Sequence, residues 1–215
     1  MAWDEIKAAG GVAVITGGAS GVGLAAAELL AQQGFTLLLA DRNADPLEKA
    51  AEALRASGAA VEPQQMDVSD ADAVAALAER AFGFGPATVL MNNAGSGPSS
   101  SCWENPDVWR QTFDVNFFGI VNGVQSFVPR MIAAGRPAAI INTGSKQGIT
   151  TPPGNPAYNA SKTAVKVLTE QLAHEVREAG VVVAHERLGG LVEGVADDFV
   201  RRGLVAEGCV GLFKH

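Results

Sequence analysis

The chain has one tyrosine, Tyr158, and a lysine, Lys162, four residues later in the stretch AYNASK. On a helix, residues i and i+4 share a face. A free tyrosine has a pKa of about 10 and is a poor base near neutrality. A neighbouring ammonium favours the phenolate. At ~4 Å and an effective dielectric of ~20 the attraction is of order 4 kcal/mol, or ~3 pKa units at most. That upper limit would carry a phenol close to working pH, where general acid–base catalysis is efficient. Taken alone, the pair reads more readily as an amphipathic helix with a half-buried tyrosine and a surface lysine. Ser145 changes the balance. It stands just past the apolar run AIINTG, where its hydroxyl can donate to a carbonyl or alkoxide oxygen and polarise it. Its alternative is a turn or cap residue.

A second stretch, TGGASGVG (residues 16–23), sets Gly17, Gly21 and Gly23 around Ser20 and Val22, between an apolar run and a helical one. A pyrophosphate needs backbone N–H groups at a helix N-terminus and a backbone free of side chains where it approaches. The bland alternative is a glycine-rich turn without a ligand, and the context argues against it. Asp41 ends the second strand at the distance where an acidic residue meets the adenosine ribose. A carboxylate there accepts from both ribose hydroxyls and repels a 2′-phosphate, which favours NAD over NADP. Arg42 beside it could neutralise that repulsion; the preferred reading of Arg42 is a surface cation.

The elements that must position these groups follow from the hydrophobic pattern. Strands are expected at 12–16, 35–41, 61–67, 87–95, 138–145 and 181–186, separated by helical stretches. Unbroken apolar runs such as VAVIT indicate parallel strands buried on both faces. Six βα-type repeats with short connections imply an α/β fold, a doubly wound parallel sheet with helices on both faces. Gly34 and Gly58 close helices, Pro46 sits early in one, and Ser69 gives an N-cap signal for another. Residues 106–135 read as one long helix, bent near Pro129. No linker or second domain is visible, so residues 1–215 read as one domain.

Composition narrows the function further. Nearly half of the residues are apolar, the net charge is −7 and the sequence pI is near 5.0. Such a chain has no general attraction for nucleic acid or anionic membranes. No apolar run reaches bilayer length, and the N-terminus lacks a signal-peptide core. Cys102 and Cys209 lie far apart with no metal-ligand spacing, and read as unpaired thiols of a reducing, cytoplasmic setting. His174 and His185, on a helix and a strand, read as surface or satisfied core residues and receive no catalytic role. Trp103, Trp109 and Phe113 could line a pocket; core packing is the preferred reading.

The joint order of Gly17-x-x-x-Gly21-x-Gly23, NNAG (92–95), Asn116, Ser145 and Tyr158-x-x-x-Lys162 resembles the short-chain dehydrogenases/reductases, over residues 10 to about 184. The resemblance implies a Rossmann-type three-layer sandwich, whose sheet has seven strands in the family against six visible here. It implies that Asp67 and Val68 contact adenine and that Asn93, Ala94 and Gly95 line the cofactor ribose. A structural alternative for NNAG is a turn whose Asn side chains bond backbone. The implied catalytic set is Asn116, Ser145, Tyr158 and Lys162, with no metal. Ser145 and Tyr158 hold an alcohol oxygen, Tyr158 moves the proton, and Lys162 also bonds the nicotinamide ribose. Asn116 and a water link Lys162 to solvent. The implied activity is hydride transfer between NAD(H) and a small alcohol or ketone. Alternatives are a dinucleotide-binding sensor or partner subunit with impaired turnover, and epimerisation or dehydration on the same fold. The long helices at 107–135 and 156–179 resemble those that pair family subunits, which implies a homodimer or homotetramer. The chain departs from the family after 186. Gly189 and Gly190 stand where a Pro-Gly turn is expected, and Glu193 near the place of a threonine. The tail reads as a divergent ending, a truncation or a scrambled frame, leaving the sixth strand at a sheet edge.

Overall fold

The computed structural model describes residues 3–186, with the side chain of residue 186 excepted. The expectations placed on Gly189, Gly190, Glu193 and Cys209, and on what covers the sixth strand, lie outside the described residues.

Six strands form one sheet: β1 (Val12–Thr16), β2 (Thr36–Asp41), β3 (Val61–Gln65), β4 (Ala87–Asn92), β5 (Ala138–Thr143) and β6 (Val181–Glu186). Their order is β3-β2-β1-β4-β5-β6, and every neighbouring pair is parallel. The chain builds outward from β1 to β3 and then resumes on the other side of β1 with β4. The crevice at that reversal, beyond the carboxyl ends of β1 and β4, is where open α/β sheets bind ligands.

Successive side chains of a strand point to opposite faces, and here both faces are buried. Val12, Val14, Leu38, Ala40, Leu90 and Ile140 pack on one side with α4 (Ala71–Phe84), α6 (Gly119–Ala134) and α8 (Pro156–Glu175). Ala13, Ile15, Leu37, Leu39, Val89 and Met91 pack on the other with α1 (Trp3–Ala9), α2 (Gly21–Gln32) and α3 (Ala44–Ala56). This is the three-layer, doubly wound Rossmann-type architecture that the sequence implies. At the β3 edge, Pro63 occupies a position where a missing N–H does least harm. No helix among the described residues is long and apolar enough to cross a membrane.

Three local readings need correction. The cap of α4 is Asp70, one residue beyond Ser69: its Oδ1 accepts the N–H groups of Asp72 and Ala73 at 3.0 and 3.1 Å. Ser69 is diverted, its hydroxyl donating to Asp67 Oδ1 at 2.7 Å. The expected long helix is interrupted, though not at Pro129, which lies inside α6. It consists of α5 (Pro106–Phe113), a π-helical turn (Asp114–Phe118) and α6. The widened turn falls where Asn116 is drawn inward by hydrogen bonds to Ser96 and Ser161. Trp103 is not a core residue, being 83% exposed. Trp109 and Phe113 stack with centroids 6.4 Å apart, and Trp109 Nε1 donates to the Ser101 carbonyl at 2.8 Å.

Candidate active site

A cleft of about 230 Å³ opens at the carboxyl ends of β1, β2 and β4. Its wall contains Gly17, Ser20, Asp41, Arg42, Asp67, Val68, Asn93, Ala94 and Gly95, all singled out from sequence, together with Asn43, Met66, Ser96 and Val115, which were not. Gly21, Val22 and Gly23 are not on the wall; they form the first turn of α2 beneath it. Only glycine fits this bend. Gly17 has φ +64°, and a methyl group on it would meet Ala94 Cα at 2.9 Å. A methyl group on Gly23 would stand 2.2 Å from the Gly17 carbonyl oxygen and 2.6 Å from Asn93 Nδ2.

The bend is tied to its neighbours by Asn93 and by two threonines, Thr16 and Thr143, that the motif reading passed over. Asn93 Nδ2 donates to the carbonyls of Thr16 and Gly17 at 3.1 and 3.2 Å. The N–H groups of Asn93 and Ala94 donate to Thr16 Oγ1 at 3.0 and 3.2 Å. Thr143 Oγ1 donates to Asn93 Oδ1 at 3.2 Å. The Asn93 side chain thus joins the ends of β1, β4 and β5, the structural role weighed for NNAG. Thr16 and Thr143 are the last residues of β1 and β5, and that strand-end position was the available signal for them.

The polar rim is preorganised. Asp41 Oδ2 accepts the Ala19 N–H at 3.3 Å, and Oδ1 accepts the Asn43 N–H and Nδ2 at 3.0 and 3.2 Å. These donors fix the carboxylate while leaving lone pairs free. The Ser69 N–H, then the Ser69 hydroxyl, hold the Asp67 carboxyl below its usual range, and the Arg42 charge adds a smaller effect in the same direction. The residues fit a dinucleotide: N–H groups at the start of α2, a side-chain-free approach over Gly17, and a fixed carboxylate at the end of β2.

The residues that the sequence suggests for proton transfer adjoin this cleft. Lys162 is 3% exposed, which overturns the surface-lysine reading. Its Nζ donates to the Thr143 carbonyl at 2.8 Å and lies 5.7 Å from the Tyr158 ring centroid. Burial pushes its pKa down from 10.5 to about 8. Gly95 on the cleft wall joins the two regions: a methyl group there would be 3.4 Å from Asn116 Oδ1 and 3.7 Å from Lys162 Nζ. Asn116, fully buried, accepts the Ser96 N–H and donates to the Ser96 carbonyl, both at 2.8 Å, and donates to Ser161 Oγ at 3.1 Å. Ser161 donates in turn to the Tyr158 carbonyl at 2.8 Å. Its place between Tyr158 and Lys162 could have flagged it. Ser145 is 6% exposed. Its Oγ accepts the Gln147 N–H at 3.1 Å, at the start of α7 (Gln147–Thr150). The turn role and an oxygen-holding role are compatible, since the Ser145 hydroxyl keeps its own proton to donate.

A family model described as short chain dehydrogenase matches residues 11–196. The 1-deoxy-11-beta-hydroxypentalenate dehydrogenase of Streptomyces exfoliatus is 38% identical over 198 residues, covering 90% of this chain and 70% of the relative. A short chain dehydrogenase/reductase from Burkholderia phymatum, solved with NAD, superposes with a TM-score of 0.80 at 40% identity, covering 92% of this chain and 73% of the other. L-Sorbose reductase from Gluconobacter frateurii, solved with NADPH and L-sorbose, does so at 0.80 and 31%, covering 89% and 75%. The chain belongs to the short-chain dehydrogenase/reductase family.

Proposed function

We propose that this chain is a single-domain oxidoreductase that transfers hydride between NAD(H) and a small alcohol or ketone, with Tyr158, Lys162, Ser145 and Asn116 as its working set. One observation carries the reading. A desolvated lysine, fixed by a backbone carbonyl, faces the only tyrosine of the chain beside a cleft built like a dinucleotide site. Gly17, Ser20, Gly21, Val22 and Gly23 would hold the pyrophosphate, Asp41 the adenosine ribose, Asp67 and Val68 the adenine, and Asn93 to Gly95 with Tyr158 and Lys162 the nicotinamide half. When bound, the nicotinamide supplies the hydride acceptor or donor.

The chain's own groups handle the proton. Ser145 donates a hydrogen bond to the substrate oxygen and steadies the charge that develops there. Tyr158 accepts the hydroxyl proton in oxidation and returns it in reduction. Lys162, while cationic, favours the phenolate by through-space attraction. The Asn116 amide N–H groups are committed to the Ser96 carbonyl and Ser161, while its Oδ1, which accepts the Ser96 N–H, keeps a second lone pair with which Asn116 would help hold a water linking Lys162 outward.

The NAD preference rests on the fixed Asp41 carboxylate, which a 2′-phosphate would face directly; Arg42 on the same rim is the countervailing charge. The related structures divide between NAD and NADPH. Exposed Phe118, Ile132 and Val167 on the π turn, α6 and α8 support a homodimer or homotetramer built through those helices. The test is NADH absorbance with a panel of small secondary alcohols and polyols, beside a direct NAD titration. Turnover with any member supports the reading. NAD binding with no turnover across the panel would instead support a sensor or partner subunit.

A further inference from the structure

Helix α8 carries Tyr158 and Lys162, and its cap position, Asn155, makes no side-chain cap bond of its own. The cap comes from another segment. The Ser100 hydroxyl accepts the Ala157 N–H at 3.2 Å and donates to Asn155 Oδ1 at 3.1 Å. Asn155 Nδ2 then donates to the Gly97 carbonyl at 3.2 Å. At the other end of the same loop Asn116 grips Ser96 through both its N–H and its carbonyl. Residues 96–100 are therefore pinned at one end to the π turn and at the other to the start of α8. Between the pins lies Gly97. A methyl group on it would stand 3.0 Å from Tyr158 Cδ2 and 3.4 Å from Cε2, so its backbone rests against the edge of the ring.

We infer that Ser100 and Asn155 are positioning residues, which cap α8 from the 96–100 loop and hold Gly97 against the Tyr158 ring, so that the loop sets where the phenol hydroxyl points. The inference rests on the reading of Tyr158 as the proton-transfer group. A hydroxyl serves as an N-cap by accepting an orphan N–H of the first turn, and Ser100 does so while binding the residue that ties down the loop. Without that hydroxyl, the first turn of α8 and the loop part company and the ring gains room. A displacement of about 1 Å at a reacting group costs up to about 100-fold in rate.

The test uses Ser100→Ala, Ser100→Thr, Asn155→Asp and Ser100→Ala combined with Tyr158→Phe. Ser100→Ala is expected to lower kcat by about 10- to 100-fold with the NAD dissociation constant unchanged. Ser100→Thr, which keeps the hydroxyl, restores kcat. Asn155→Asp keeps the acceptor for Ser100 but loses the donor to Gly97, and falls between them. In the Tyr158→Phe background Ser100→Ala causes no further loss. The single tyrosine gives a readout that needs no turnover. Protein labelled with 3-fluorotyrosine shows one fluorine resonance, expected to shift or broaden in Ser100→Ala and to return in Ser100→Thr. An unmoved resonance with wild-type kcat in Ser100→Ala overturns the inference, as does a loss that adds in full to Tyr158→Phe. If Tyr158→Phe itself keeps turnover, the proton-transfer reading fails, while the fluorine resonance still decides whether the loop sets the ring. If Ser100→Ala fails to fold, Asn155→Asp with wild-type kcat and an unmoved resonance overturns the inference.

Discussion

Folding Lys162 into the core desolvates a cation, and the cost is measurable. Burial takes its pKa from 10.5 to about 8, a difference worth about 3 kcal/mol of folding free energy. Below about pH 8 the folded and unfolded chains both hold the proton, and the folded chain carries the full cost of burying the charge. Between about pH 8 and 10.5 the unfolded chain keeps the proton that the folded chain has released. Stability therefore rises with pH through that window and gains nothing more above it. Lys162→Met removes the titration and keeps an unbranched chain of similar length. Urea melts of the cofactor-free protein and of Lys162→Met, each at about pH 7 and pH 9.5, separate this effect from groups common to both. The wild type should gain about 2 kcal/mol on the variant between those two pH values. Parallel pH dependences would refute the reasoning, because the amine would then be hydrated in the folded chain.

Three further outcomes follow from the same geometry. Gly23→Ala places a methyl group 2.2 Å from the Gly17 carbonyl; it should destabilise the protein by about 1–3 kcal/mol and weaken NAD at least about tenfold by calorimetric titration. Unchanged affinity would mean that the bend does not form the pyrophosphate site. Asp41→Ser removes the rim carboxylate and should move the NAD-to-NADP affinity ratio toward NADP by at least about tenfold, read by paired titrations. In the direction of carbonyl reduction, kcat/KM should fall above about pH 8 as Lys162 loses its proton, since that ratio reports groups of the free enzyme. A profile flat to about pH 10 would contradict it.

Much of the scaffold was legible because parallel strands buried on both faces write themselves as unbroken apolar runs, as in VAVIT and TLLLAD. The glycine bend was legible for a related reason. Gly17 and Gly23 sit where no other residue fits, so their spacing records the geometry. The π turn was not legible. One extra residue in a helical turn leaves the apolar periodicity almost intact, and Pro129 drew attention as a more familiar source of bending. The cap of α4 shifted by one residue because Ser69 was claimed by Asp67, a competition visible only in three dimensions. The burial of Lys162 was missed for a similar reason: its spacing from Tyr158 sets a shared face, while the depth of that face depends on where β5 and α8 pack. Trp103 shows the converse error, an aromatic residue assigned to the core from its type alone and found in solvent.

The central claim, that Tyr158 moves the proton beside a bound dinucleotide, is tested most directly by Tyr158→Phe, which removes one oxygen atom and little volume. NADH formation from an alcohol that the wild type oxidises should fall by about 100-fold or more, while the NAD dissociation constant, titrated on the same preparation, stays where it was. Near-wild-type turnover in Tyr158→Phe, or a loss of turnover matched by a loss of NAD affinity, would contradict the assignment.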